Sequence, residues 1–158
     1  MNIFVLDLDP KVAACYHCDK HVVKMILETA QILSTVIQNH VDTEDFLYKP
    51  THKNHPCVLW AGKSYENLMW LYNLGISLCD EYTYRYNKVH KTRAIIERCY
   101  DYISDIFYTE IGLTKFAQAM PEQYRNEDVV KAYRNYYIGE KSNMLKYTKT
   151  EKPEWIQQ

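Results

Sequence analysis

The sequence predicts a mainly α protein: a single compact helical domain over residues 1–158, preceded by a short N-terminal extended segment. Three observations predict it. Apolar residues recur at helical spacing through 11–40, 58–87 and 92–108. Only four glycines occur in the chain, too few for a turn-dense β fold or a glycine-rich phosphate loop. No repeat, low-complexity tract or linker divides the 158 residues, a length that buries roughly two thirds of the unfolded surface in one core.

Asn2 to Leu8 reads as a short strand or extended segment, stopped by Asp9-Pro10, with Asp9 as N-cap and Pro10 as first helical residue. The helix that follows is expected to run to about Asn39. On it His17, His21, Lys24, Glu28, Gln31 and Thr35 recur every three or four residues and share one stripe. Val22, Val23, Met25, Ile26, Leu27 and Ile32 surround that stripe, which predicts a helix buried round most of its circumference. Polar groups there must face either bonding partners or a cavity, because an unpaired buried one costs about 1 to 3 kcal/mol.

Residues 41–55 read as loop, punctuated by Asp42, Thr43, Pro50 and Asn54. Helical spacing returns over 58–87, with Gly62 and Gly75 as the places where it is open to interruption. Thr92 to Tyr108 reads as a third helix, and Leu113 to Met120 as a short helix or turn before Pro121. Asn126 to Ile138 is the fourth, with Glu127 and Asp128 at its start and Gly139 as its C-cap. The tail 141–158 carries four lysines and then Trp155, through which it docks or beyond which it stays mobile.

Nineteen basic and twenty acidic residues leave a formal charge of −1, so no global field draws the chain to nucleic acid and any such contact depends on a local patch. Fifteen tyrosines and three tryptophans offer stacking surface or, equally, large core residues with polar rims. Five cysteines and a start, MNIFVLDLDPK, without a basic region ahead of its apolar run point to free thiols and a cytoplasmic setting. The longest apolar-leaning run, Leu68 to Cys79, is too short to span a bilayer, so no membrane partner is expected.

Three groups of residues have the chemistry of a site. In the stripe, Glu28 follows Lys24 by one helical turn and pairs with it. In a desolvated pocket the lysine loses its proton and becomes a nucleophile while the glutamate moves protons, with His21 and His17 above them. The competing reading is a polar core network. The second group is the loop Thr51-His52-Lys53-Asn54-His55-Pro56-Cys57, where His52, Asn54 and His55 are candidate substrate contacts. With His17, His21, Cys15 or Cys18 this loop offers nitrogen and sulfur donors, but the spacing fits no standard zinc pattern, and neither a metal nor another cofactor is expected. The third group is Arg125, Tyr133 and Arg134, where arginines among tyrosines suit phosphate and base contact or cover a core edge. Trp60 is a candidate base-stacking surface.

The strings YHCDKHVVKMILETAQ, THKNHPC, LTKFAQAMPEQYR and VVKAYRNYYIGEKS resemble small, largely uncharacterised proteins of tailed phages, over nearly the whole chain. Asp19-Lys20-His21 with Glu28 seven residues on, His55 opening a helix, and Pro121-Glu122-Gln123-Tyr124-Arg125 are similar to motifs of the phage pyrimidine-dimer DNA glycosylases of the endonuclease V type. That resemblance implies a helical enzyme in the host cytoplasm that cleaves an N-glycosidic bond in DNA or a nucleotide. It implies Glu28 as the catalytic carboxylate and His21 and His55 as orienting groups. The family's nucleophile is the α-amine bared when the initiator methionine is removed. Here Asn2 follows Met1, which disfavours that removal, and the segment before His21 is longer, so either the N-terminal amine or Lys24 is the expected nucleophile. Leu27 and Gln31 stand where the family has arginines, and with the near-neutral charge they leave two other readings. One is a protein that binds, sequesters or cleaves a small nucleotide, and the other is a non-enzymatic partner of a host protein. The sequence carries no signal of an oligomeric state.

Overall fold

A computed structural model describes residues 1–44 and 46–156. Among them are six α-helices, α1 Pro10–Tyr16, α2 Asp19–His40, α3 Pro56–Ala61, α4 Tyr65–Tyr86, α5 Arg93–Ile103 and α6 Val129–Lys141, with short 3-10 turns at Glu122–Tyr124, Ser142–Met144 and Glu154–Ile156. No strand occurs among the described residues. Residues 2–8 are an extended thread whose Ile3, Phe4, Val5 and Leu6 are buried. A thread in a core must find partners for its backbone. The Asn2 N–H donates to Glu28, and the Leu6 carbonyl accepts from Arg134 Nε.

The single first helix expected from the periodicity is two. Asp9 caps α1 by accepting from the Lys11 N–H, with Pro10 at the first helical position. The chain then leaves helical geometry at His17 and Cys18, at ψ 133° and 162°, before α2 begins. Neither glycine nor proline marks this bend, because tertiary contacts hold it. The Cys18 N–H donates to the Tyr137 hydroxyl and the Asp19 N–H to the Lys146 carbonyl, both from the far end of the chain.

Twenty-two residues make α2 roughly 33 Å long, and α3, α4 and α5 pack against it. It is not buried all round, contrary to the apolar count: Val23 and Leu27 are exposed beside Lys20 and Lys24, forming an outward strip. The stretch 58–87 divides at Gly62, after which Ser64 caps α4 by accepting from the Asn67 N–H. Gly75 stays helical where α2, α4 and α5 meet; a Cβ there would lie 2.9 Å from Thr29 Cγ2 and 3.2 Å from Ile96 Cδ1. The next helix stops at Ile103, whose carbonyl accepts from the Tyr108 hydroxyl.

Residues 113–120 are neither helix nor tight turn. They cross the molecule extended, pinned where Asn67 Nδ2 donates to Thr114 Oγ1 and Asn67 Oδ1 accepts from the Thr114 N–H. Asp128 caps α6, which runs through Gly139 to Lys141. Gly139 is therefore no C-cap: it leaves room for the Tyr124 ring, which a Cβ would strike. Of the two courses open to the tail, it docks through Trp155, edge-on to Tyr16, with the Arg134 guanidinium over both rings. Asp45 of the 41–55 loop, and Gln157 and Gln158 of the tail, lie outside the described residues.

Candidate active site at the N-terminus

The polar stripe has three fates along its length. At its upper end His17 and His21 are closed in. The His17 Nδ1–H donates to the Ala13 carbonyl at 2.6 Å, and His21 Nδ1 shares a hydrogen bond of 2.6 Å with the Tyr137 hydroxyl, with the Phe4 ring tilted over it at 4.6 Å. Burial lowers His17 to about 4 and His21 to about 3, so both are neutral at ordinary pH. At the lower end Thr35 is buried, its hydroxyl bonded to the backbone of Thr51. Only the middle, Lys24, Glu28 and Gln31, turns outward.

Glu28 meets the start of the chain there. Its Oε2 lies 3.9 Å from the Met1 amine and accepts from the Asn2 N–H at 3.0 Å. Its Oε1 lies 3.5 Å from Lys24 Nζ. The two partners differ in setting: the Glu28 side chain is 13% exposed and that of Lys24 is 64% exposed. Lys24 thus extends into solvent rather than into a desolvated pocket.

The first residues are held by a buried clamp. Asn2 Nδ2 donates to the Ala119 carbonyl at 2.8 Å, and Asn2 Oδ1 accepts from the Tyr133 hydroxyl at 3.0 Å and from the Cys57 thiol at 3.8 Å. Burial pushes Cys57 up to about 11 and raises Tyr133 as well, so both keep the protons they donate. His55 stands beside this group as N-cap of α3, its Nδ1 accepting from the Cys57 N–H at 3.1 Å. Desolvation first, and then the N-terminal ammonium, lower its pKa. A neutral His55 accepting at Nδ1 carries its proton on Nε2, which makes it a donor to whatever docks there.

The other candidates sit elsewhere. Tyr133 is buried and acts on Asn2, while Arg134 donates to the Leu6 carbonyl and pairs with Asp7, supporting the thread. Trp60 is buried with Phe116 stacked on it at 4.7 Å, leaving no open face for a base. His52 and Asn54 are exposed in the loop before His55, His52 at φ 50°, and Gln31 is half-buried one turn beyond Glu28. Arg125 is exposed and paired with Glu122. No group of three or more His, Cys, Asp or Glu suited to a metal occurs among the described residues. Asn2 is the site residue that the sequence does not single out, its one trace being a polar residue heading an otherwise apolar run, and Cys57, a sulfur donor of the loop by sequence, serves instead as a donor to Asn2.

With this geometry in place, the family comparison finds that the model for the pyrimidine dimer DNA glycosylases matches residues 1–94. The chain belongs to that family. The match spans the extended thread, Lys24, Glu28 and His55, while Ala119, Tyr133 and Arg134 lie beyond it. No curated protein and no solved structure matches the chain. Membership in the pyrimidine dimer DNA glycosylases supports a DNA-directed function of that type. No helix among the described residues is long and apolar enough to cross a membrane.

The two buried histidines carry a pH prediction. Their folded pKa values lie below the unfolded value of 6.5, so between about pH 4 and 6.5 the unfolded chain binds more protons. The stability they carry is complete above pH 6.5 and is lost as pH falls through that window, by up to about 1.4 kcal/mol per pH unit for each imidazole. His55 and His90, also lowered by burial, act with the same sign. Urea unfolding at pH 7 and 5.5 reads this directly, and a flat response would contradict neutral burial.

Proposed function

We propose that this protein is a DNA glycosylase of the pyrimidine-dimer type in which the N-terminal amine attacks C1′ of the damaged nucleotide and Glu28 is the catalytic carboxylate. The observation that carries the reading is the amine held 3.9 Å from a largely buried carboxylate by the Asn2 clamp. Were Met1 removed, the Asn2 nitrogen, 3.0 Å from the same oxygen, would become the amine.

Glu28 accepts a proton from the ammonium, freeing its lone pair. The amine forms the N–C1′ bond as the glycosidic bond breaks; its electron pair leaves with the base, which takes from Glu28 the proton that came off the ammonium and so returns Glu28 to a carboxylate. The sugar ring then opens, the C1′–O4′ pair leaving on O4′, which takes a proton from the attached nitrogen, and the resulting iminium at C1′ is stabilised by the Glu28 carboxylate. Glu28 then takes a C2′ proton, the electrons expel the 3′ phosphate, and water hydrolyses the imine to regenerate the amine.

Around this centre His55 donates through Nε2 to a sugar or phosphate oxygen, and His52, Asn54, Gln31 and Arg125 contact the substrate from the rim. Lys24 serves as an exposed cation for phosphate. His21, its ring 4.6 Å from that of Phe4, positions the thread, as do Tyr133, Arg134 and, through the bend, His17.

Two modifications test the choice of amine. With dimer-containing DNA and borohydride, Lys24→Met retains the trapped adduct, whereas acetylating the N-terminal amine abolishes it. The reverse pattern would assign the chemistry to Lys24.

A further inference from the structure

Outside the Glu28 centre, three hollows run in series along α3. The first, of about 350 Å³, lies among His40, Lys53, Leu59, Lys63 and Phe107. It shares Leu59 and Lys63 with a second of about 300 Å³. The second shares Pro56, Lys115 and Ala117 with a third of about 540 Å³, which continues to Gln118 and Arg125. Together they form one trough that passes Pro56, the neighbour of His55.

The lining is charged in one sense. Lys53, Lys63 and Lys115 are exposed and make no ion pair among the described residues, and Glu127 at the far end is the only carboxylate among the lining residues. Phe107, 88% exposed, and Leu59 stand beside the lysines as apolar surface in solvent. A chain of net charge −1 thus concentrates unpaired cations along one track, with an aromatic ring interleaved. Free cations along one trough fit the phosphates of a nucleic-acid backbone, and an exposed ring fits a base or sugar face.

We infer that this trough holds the sugar–phosphate backbone of a DNA strand leading away from the Glu28 centre, with Lys53, Lys63 and Lys115 each contacting a phosphate and Phe107 packing on the strand. The inference rests on the DNA-directed reading above.

Fluorescence anisotropy with a short labelled duplex, read across salt concentration, tests it. Each lost phosphate contact lowers the slope of log affinity against log salt by about 0.9. The triple variant Lys53→Ala, Lys63→Ala, Lys115→Ala is therefore expected to flatten the slope by about 2.7, so that between about 50 and 200 mM salt it loses roughly 40-fold less affinity than the parent. The arginine triple at the same positions restores the slope. At saturating DNA the alanine triple still forms the borohydride adduct. A slope unchanged in the alanine triple overturns the trough and leaves the Glu28 centre standing. A flattened slope with no adduct in the parent protein overturns the centre and leaves the trough.

Discussion

Glu28→Gln is expected to lower strand cleavage at a pyrimidine dimer by about 100- to 10,000-fold, the range associated with losing a positioned acid–base group. Glutamine keeps an oxygen to accept the Asn2 N–H, now 3.0 Å from Oε2, so the thread and its clamp stay in place. What disappears is the charge. Without it nothing beside the amine accepts its proton, nothing faces the cationic carbon, and no base remains for C2′. Single-turnover cleavage of a dimer-containing oligonucleotide measures the loss, and thermal unfolding within about 1 kcal/mol of the parent shows that the fold is intact. A loss of less than tenfold would remove Glu28 from the chemistry.

Arg85→Ala is expected to cost about 3 to 5 kcal/mol of stability. The Arg85 side chain is fully enclosed, its Nε bonded to Glu81 at 2.9 Å, its Nη1 to Asp19 at 3.0 Å and its Nη2 to the Cys15 carbonyl at 3.1 Å. Removing it strands two carboxylates with side chains only 10% and 18% exposed. The damage spreads, because Asp19 also accepts from the Thr148 N–H and hydroxyl, and Glu81 from Thr150, so the same cluster straps the tail across the α1–α2 bend. Urea unfolding measures the cost, and limited proteolysis near residues 146–156 reads the loosened tail. A cost below about 1 kcal/mol would show that the cluster is no more than surface pairing.

The helical class, the start of α1 at Asp9-Pro10 and the interruption at Gly62 were legible because each is a local signal. The bend at His17 was not, since its cause is Tyr137 and Lys146, more than a hundred residues away. The same limit governs the stripe on α2. Periodicity showed that His21, Lys24 and Glu28 share a face, but a period cannot say what covers it: Phe4 and Tyr137 close over His21, while solvent takes Lys24. Val23 and Leu27 looked like core by composition and lie exposed, and Trp60 looked like a stacking platform and lies beneath Phe116. The N-terminal amine was one of two candidates by sequence; the buried clamp on Asn2, built from residues far apart in the chain, is what sets it against Glu28.

Peptide mapping of the borohydride-trapped complex tests that placement most directly. The amine-and-carboxylate mechanism predicts the DNA remnant on the first residue of the mature chain, Met1 or Asn2, and its disappearance in Glu28→Gln. A remnant on Lys24, or no adduct with dimer or abasic DNA, would contradict it.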